Sequence, residues 1–221
     1  MKSPRSEFDG RARTYESGRL GAWYKAQAEL VIERARLRSG ASVLDVGCAT
    51  GWLLRQLGQR YSGVTGLGVD LSPRMVELAR ERARVAGVLN LSFVAADWEE
   101  IDPRLLLEGN DLRTADLVTC VSVLHYFQDP QAALTRMHTA TSAGGRLLLL
   151  DRARDRSLMT WVWDLIHRAI LRDTTAFYRT EELIDLVVRA GFQQPRVSES
   201  VRRIFWKGKL STSLALISAN R

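Results

Sequence analysis

Three aspartates stand at or near the ends of short apolar runs: Asp45 in Val43-Leu44-Asp45-Val46, Asp70 after residues 64–69, and Asp97 after residues 91–95. Carboxylates accept hydrogen bonds from hydroxyl and amino groups and attract cations. Behind Asp45 comes a loop bracketed by glycines, Gly47-Cys48-Ala49-Thr50-Gly51, and then an apolar-periodic segment from Trp52. This is the pattern of a buried strand, a tight turn and a helix. Glycine lets a ligand approach the backbone and makes positive φ cheap. Thr50 is placed to cap the helix, whose first N–H groups are left free. A loop of this kind after a first strand is a cofactor site.

The spacing selects among cofactors. A dinucleotide loop wants G-x-G-x-x-G, the middle glycine admitting a pyrophosphate. Here that position is Ala49. Asp45, two residues before the first glycine, would repel a pyrophosphate and suits an ammonium group. Asp70 lies about 20 residues beyond the loop, where a carboxylate can accept from ribose hydroxyls. A ribose, no phosphate and a cationic amino-acid end describe S-adenosylmethionine.

At these residues the chain resembles the class I S-adenosylmethionine-dependent methyltransferases of the broad small-molecule group. Asp45-Val46-Gly47-Cys48-Ala49-Thr50-Gly51 is similar to the family's first motif, with Ala49 where glycine is more usual. Asp97-Trp98 resembles its adenine-reading position. The segment Ser122-Val123-Leu124-His125-Tyr126-Phe127-Gln128-Asp129-Pro130 resembles its fourth motif, where the chain leaves the sheet beside the sulfonium. The resemblance implies cofactor contacts from Asp45, Gly47, Cys48, Ala49, Gly51, Asp70, Leu71, Met75, Asp97, Trp98 and Val121. It also implies Tyr15, from an N-terminal arm folded over the cofactor, and S-adenosylhomocysteine as product. It spans roughly residues 40–219.

The elements that must position these groups alternate. Strands are expected at 41–46, 64–69, 91–95, 115–121 and 146–150, with helices at 20–37, 52–60, from Pro73, at 131–141 and at 180–189; residues 105–111 stay unassigned. Alternation argues for a parallel, doubly wound α/β sheet with its ligand above the strand carboxyl ends. The expected fold is Rossmann-like and seven-stranded, mostly parallel, closed by an antiparallel hairpin of 196–205 with 210–219. Residues 1–40 form a mobile arm and a helix over the cofactor site, and 41–221 the methyltransferase domain. Residues 157–172 read as a helix with a wide apolar face, within an insertion at 152–178 where the family selects its substrate. It is expected as a lid over an apolar acceptor, with a dimer contact or a membrane-surface contact as the other uses of such a face.

Composition sets bounds. The 221 residues suit one decorated α/β domain, and 46% hydrophobic content is ample for its core. No apolar run approaches the roughly 18 residues of a membrane span, and the N-terminus lacks a signal-peptide pattern. Two cysteines are too few for a disulfide framework, which fits a reducing cytoplasm. The net charge of +7 is spread among acids without a like-charge run, so a small-molecule acceptor rather than nucleic acid is the expected partner. The protein is expected as a monomer or homodimer.

Methyl transfer from a sulfonium is an in-line displacement accelerated mainly by orientation in a dry pocket. A base matters for a phenol or an acidic carbon. His125, after the fourth strand, and His167, on the expected lid, are the candidates, and each fits a structural role as well. Metal-dependent catechol-type relatives place an acid at the end of the fourth strand, where Thr119-Cys120-Val121 has none, so no metal is expected. The reading is methylation of an O, N or C atom of a small apolar or aromatic metabolite. The alternatives are a peripheral membrane lipid or quinone methyltransferase, a non-catalytic cofactor-binding regulator, and an RNA methyltransferase.

Overall fold

The run Leu147-Leu148-Leu149-Leu150 lacks the polar alternation of a half-exposed strand, as befits a strand covered on both faces. A computed structural model of the chain, describing residues 4–110, 112–156, 178–198, 204–206, 209–211 and 214–221, places it there. Leu147 and Leu149 join one buried cluster, Leu148 and Leu150 the other. The strands are β1 (Ser42–Val46), β2 (Thr65–Asp70), β3 (Leu91–Ala95), β4 (Ala115–Val121), β5 (Thr141–Arg152), β6 (Gln193–Val197), β7 (Ile204–Trp206), β8 (Lys209–Ser211) and β9 (Leu214–Asn220). Seven of them form one sheet in the order β3-β2-β1-β4-β5-β9-β6, with β1 to β5 parallel and β9 antiparallel to both its neighbours. The reversal of strand order beside β1 opens a crevice at the carboxyl ends of β1 and β4.

The described helices are α1 (Pro4–Arg11), α2 (Gly18–Ala35), α3 (Trp52–Arg60), α4 (Pro73–Val85), α5 (Pro103–Glu108), α6 (Pro130–Ala140) and α7 (Thr180–Arg189). The first cluster lies beneath α5, α6 and α7, and the second beneath α2, α3 and α4. Ser72 starts α4 as expected, its hydroxyl accepting the Met75 N–H with Pro73 in the first turn. The chain is thus an α/β, Rossmann-like, mostly parallel seven-stranded fold.

The expected antiparallel terminal hairpin is present, and three other local expectations change. In the terminal hairpin Arg196 and Val197 of β6 face Ser218 and Ile217 of β9, and Ile204 and Phe205 of β7 face Ser211 and Leu210 of β8, all antiparallel. On its other side β9 pairs with β5, so it lies between β5 and β6, while β7 and β8 form a ladder of their own. Leu214, Ala215, Leu216 and Ile217 are all buried, so this strand needs cover on both faces. Gln193-Gln194-Pro195-Arg196 is polar and carries a proline, which suits the sheet edge. Residues 103–108, unassigned from sequence, are α5, with Asp102 accepting the Arg104 N–H and Pro103 in the first turn. Gly51, not Thr50, is the N-cap of α3, at φ 72°. The Thr50 hydroxyl donates to Glu16 instead. The arm is helical over Pro4–Arg11 and tied down by charged groups. The expected lid helix at 157–172, with His167, lies outside the described residues. No helix among those described is long and apolar enough to cross a membrane.

Candidate functional site

The loop after β1 is held by backbone bonds to the neighbouring strand: Gly47 and Cys48 donate N–H to Val69 O at 2.8 and 3.0 Å. Gly47, Ala49 and Gly51 have φ of 77°, 47° and 72°. A Cβ at Gly47 would collide with the Val123 side chain, and one at Gly51 would come within 2.6 Å of the Phe93 ring. Ala49 accepts a left-handed conformation costing about 1–2 kcal/mol for an L-residue. Asp70 Oδ2, accepting the Ala49 N–H at 2.8 Å, holds it there.

Above this loop lie two adjoining cavities, of about 950 and 510 Å³ of empty space with the solvent at their mouths included. Tyr15, Gly47, Ala49 and Ser122 line both. The larger is lined by Asp70, Leu71, Met75, Asp97, Trp98 and Glu99 and by Phe8, Tyr126 and Phe127. The smaller takes Asp45, Cys48, Thr50 and Val121, with Tyr24, Lys25 and Gln27 from α2.

Of the residues singled out from sequence, Tyr15, Asp45, Gly47, Cys48, Ala49, Asp70, Leu71, Met75, Asp97, Trp98 and Val121 border one or both cavities. Gly51 borders neither; it packs toward Phe93 and Ala79 and permits the turn. Trp98 is 3% exposed and gives its indole N–H to Ala133 O, so it forms the wall from inside the core. Asp97 Oδ1 accepts the Glu99 N–H at 2.9 Å, capping a turn, and the residue borders the larger cavity. His125 is a correction. It is 1% exposed, lines neither cavity, and its Nδ1 meets Asp151 Oδ1 at 2.7 Å. Tyr126, not His125, borders the larger cavity from the turn Leu124–Tyr126, and the buried His125 Nε2 has no hydrogen-bond partner among the described residues.

The electrostatics are one-sided. Asp45, 3% exposed, accepts from Thr119 Oγ1 at 2.7 Å, and no ion pair neutralises it among the described residues. Burial, with a further contribution from Asp70, pushes its pKa up to about 7. Burial also raises Asp70, less strongly opposed by the N–H groups of Ser72 and Ala49. No lysine or arginine borders the larger cavity among the described residues. Two buried carboxylates without a cation are costly unless a positively charged ligand completes them. Burial raises the Cys48 thiol well above its ordinary value, which leaves it protonated and a poor nucleophile.

A scan against family models matches a methyltransferase domain over residues 20–194. The chain belongs to this family. Among curated relatives, the mitochondrial ubiquinone biosynthesis O-methyltransferase of Schizosaccharomyces pombe is 32% identical over 119 residues, covering 52% of this chain and 39% of that protein. The ubiquinone biosynthesis O-methyltransferase of Coxiella burnetii is 27% identical over 169 residues, covering 73% of this chain and 68% of that protein. The chain thus spans well under half the length of the first of these relatives. Among solved structures, an S-adenosylmethionine-dependent methyltransferase of Thermotoga maritima superposes with a TM-score of 0.71 at 20% identity, over 98% of each chain, which shows the shared fold.

The methyltransferase domain also uses residues that sequence reasoning passed over. Phe8 and Tyr126 meet edge to face with ring centroids 5.5 Å apart, bridging the arm and the turn after β4. Ser122, at φ 56°, donates its hydroxyl to the buried Gln27. Glu16 gathers Thr50, Arg55 and Arg82. A polar residue on the apolar side of a helix, as Gln27 is, was the only local signal for any of these.

Proposed function

We propose that this methyltransferase domain binds S-adenosylmethionine and transfers its methyl group to an O, N or C atom of a small, apolar or aromatic acceptor. The observation that carries the reading is the pair of cavities joined at Gly47 and Ala49, with Asp70 beside one and an unneutralised Asp45 beside the other. Asp70, already held by two backbone N–H groups, is disposed to accept from ribose hydroxyls. Leu71, Met75 and Asp97 suit an adenine: two apolar walls and one acceptor for its amino group. Asp45 suits the ammonium of the methionyl end. When bound, the sulfonium supplies an activated methyl group. The chain's own residues orient the ligand through Asp45 and Asp70, while Phe8, Tyr15 and Tyr126 restrict water at the mouth. The two curated relatives are named for O-methylation in ubiquinone biosynthesis, which favours an aromatic hydroxyl as acceptor over a nucleic acid.

Titration calorimetry of S-adenosylhomocysteine, with NAD as control, tests this. The wild type is expected to bind the former and not NAD. Asp70→Ala should weaken binding at least about tenfold, from loss of a charge-assisted contact worth roughly 1.5–3 kcal/mol. Preference for NAD, or unchanged affinity in the variant, would refute the cofactor assignment. Transfer of a tritiated methyl group to catechol-like acceptors tests the acceptor class.

A further inference from the structure

Asp45 is flanked on both sides by its own sheet. In register it stands beside Thr119 of β4 and beside Gly68 of β2, which offers no side-chain donor. Among the described residues its carboxylate has one hydrogen bond, from the Thr119 hydroxyl at 2.7 Å. The charge that acts on it is another anion, Asp70, the last residue of β2. The nearby thiols of Cys48 and Cys120 are kept neutral by burial. The smaller cavity, which Asp45 borders, has one cation among its described lining residues, Lys25, and that lies 3.9 Å from Glu16. Tyr15 and Tyr24, which border it too, are phenols and not cations. A carboxylate 3% exposed, with one neutral donor and a like charge nearby, is costly as an anion and takes up a proton instead. Burial and Asp70 accordingly push the Asp45 pKa up to about 7.

On the proposed cofactor reading, on which this inference rests, Asp45 meets the ammonium of the methionyl end. We infer that the free protein holds a proton on Asp45 and that cofactor binding expels it, one cation replacing another at a buried carboxylate. The carboxylic O–H bond breaks, its proton passes to water, and the carboxylate left behind accepts from the ligand's ammonium. No electrons are transferred. Asp70 differs, because it accepts backbone N–H groups from Ala49 at 2.8 Å and Ser72 at 2.9 Å, which favour its charged form. The proton of the pair therefore belongs to Asp45. The consequence is a cofactor affinity that falls in acid, approaching tenfold per pH unit once Asp45 is mostly protonated.

Titration calorimetry of S-adenosylhomocysteine in buffers of different ionisation enthalpy counts the protons released per ligand bound. The wild type should release about 0.9 proton at pH 6 and about 0.5 at pH 7, and its dissociation constant should rise about fivefold between pH 7 and pH 6. Asp45→Asn should release none and bind equally well at the two pH values. 5′-Methylthioadenosine, which keeps base, ribose and thioether but lacks the ammonium, should bind without release. Asp70→Asn, titrated at higher ligand concentration, should still release a proton, with the effect moved to lower pH by loss of the like charge. Because proton count is normalised to ligand bound, a general loss of affinity does not mimic the result. Binding by the wild type without release overturns the inference. So does release that persists in Asp45→Asn, that vanishes at every pH in Asp70→Asn, or that 5′-methylthioadenosine reproduces. Failure of S-adenosylhomocysteine to bind at pH 8, where Asp45 is charged, refutes the cofactor assignment instead.

Discussion

Arg55 Nη2 lies 3.0 Å from both carboxylate oxygens of Glu16, which joins the N-terminal arm to α3 behind the glycine-bracketed loop. Arg55 also donates through Nη1 to Thr50 O, and Glu16 accepts from the Thr50 hydroxyl at 2.6 Å and from Arg82 at 2.6 Å. One carboxylate therefore ties arm, loop, α3 and α4 together. Tyr15, its sequence neighbour, is carried to the cavity junction by that anchor.

Removing the carboxylate in Glu16→Ala leaves the 7% exposed Arg55 without its anion. Loss of one partner of a buried pair costs several kcal/mol; with Thr50 O still available to Arg55, about 2–3 kcal/mol is expected. For a chain of this size that lowers Tm by roughly 5–10 °C. Burial alone would raise the Glu16 pKa, but the hydrogen bonds of Thr50 and Arg55 and the charges of Arg55 and Arg82 outweigh it and hold it low. Its stabilisation is thus present above the unfolded-state carboxyl range and lost as pH falls through the lower folded value. Thermal melts of wild type and variant should differ most near neutral pH and converge in acid. A Tm change under about 2 °C at pH 7 would contradict this role.

Asp45 behaves in the opposite sense. With its folded pKa raised to about 7 by burial and by Asp70, its favourable contribution is complete below the unfolded value, roughly 4. It declines as pH rises toward 7 and is gone above that. Asp45→Asn keeps an oxygen for the Thr119 hydroxyl and discards the charge. In the ligand-free state it should melt several degrees higher than wild type at pH 8 and gain little at pH 4. Its affinity for S-adenosylhomocysteine should fall about tenfold or more, for want of the ammonium's counter-charge. A variant no more stable than wild type at pH 8 would show that the carboxylate is already neutralised in the free protein.

The His125–Asp151 pair is a clamp on the turn that presents Tyr126. Asp151, fully buried, receives both the His125 backbone N–H at 3.3 Å and the ring Nδ1 at 2.7 Å. Burial opposes its charge, but the charge and hydrogen bond of His125 prevail and lower its pKa. Its stabilisation is therefore present above the unfolded carboxyl pKa and lost as pH drops through the folded one. Asp151→Asn should cost about 1–3 kcal/mol at neutral pH, read by denaturant unfolding, with the gap closing below about pH 4. An unchanged midpoint at pH 7 would mean that the turn is held by packing alone.

Local chemistry made much of this protein legible. The β1 loop, the three aspartates, the Ser72-Pro73 helix start and the alternation of strands and helices each depend on residues within a few positions of one another. Backbone conformation and strand burial are decided at that range. The sequence could have revealed α5 too, since Asp102-Pro103 is a cap followed by a first-turn proline. What it could not determine were relationships between distant segments. That β9 enters the sheet between β5 and β6 depends on which apolar strand most needs burial on two faces. That His125 turns to Asp151 while Tyr126 faces the cavity depends on where β5 ends beside β4. That Glu16 finds Arg55 and Arg82, and that Tyr15 stacks on Tyr24, depends on how the arm packs on the domain. These contacts join groups remote along the chain, and no periodicity or spacing encodes them.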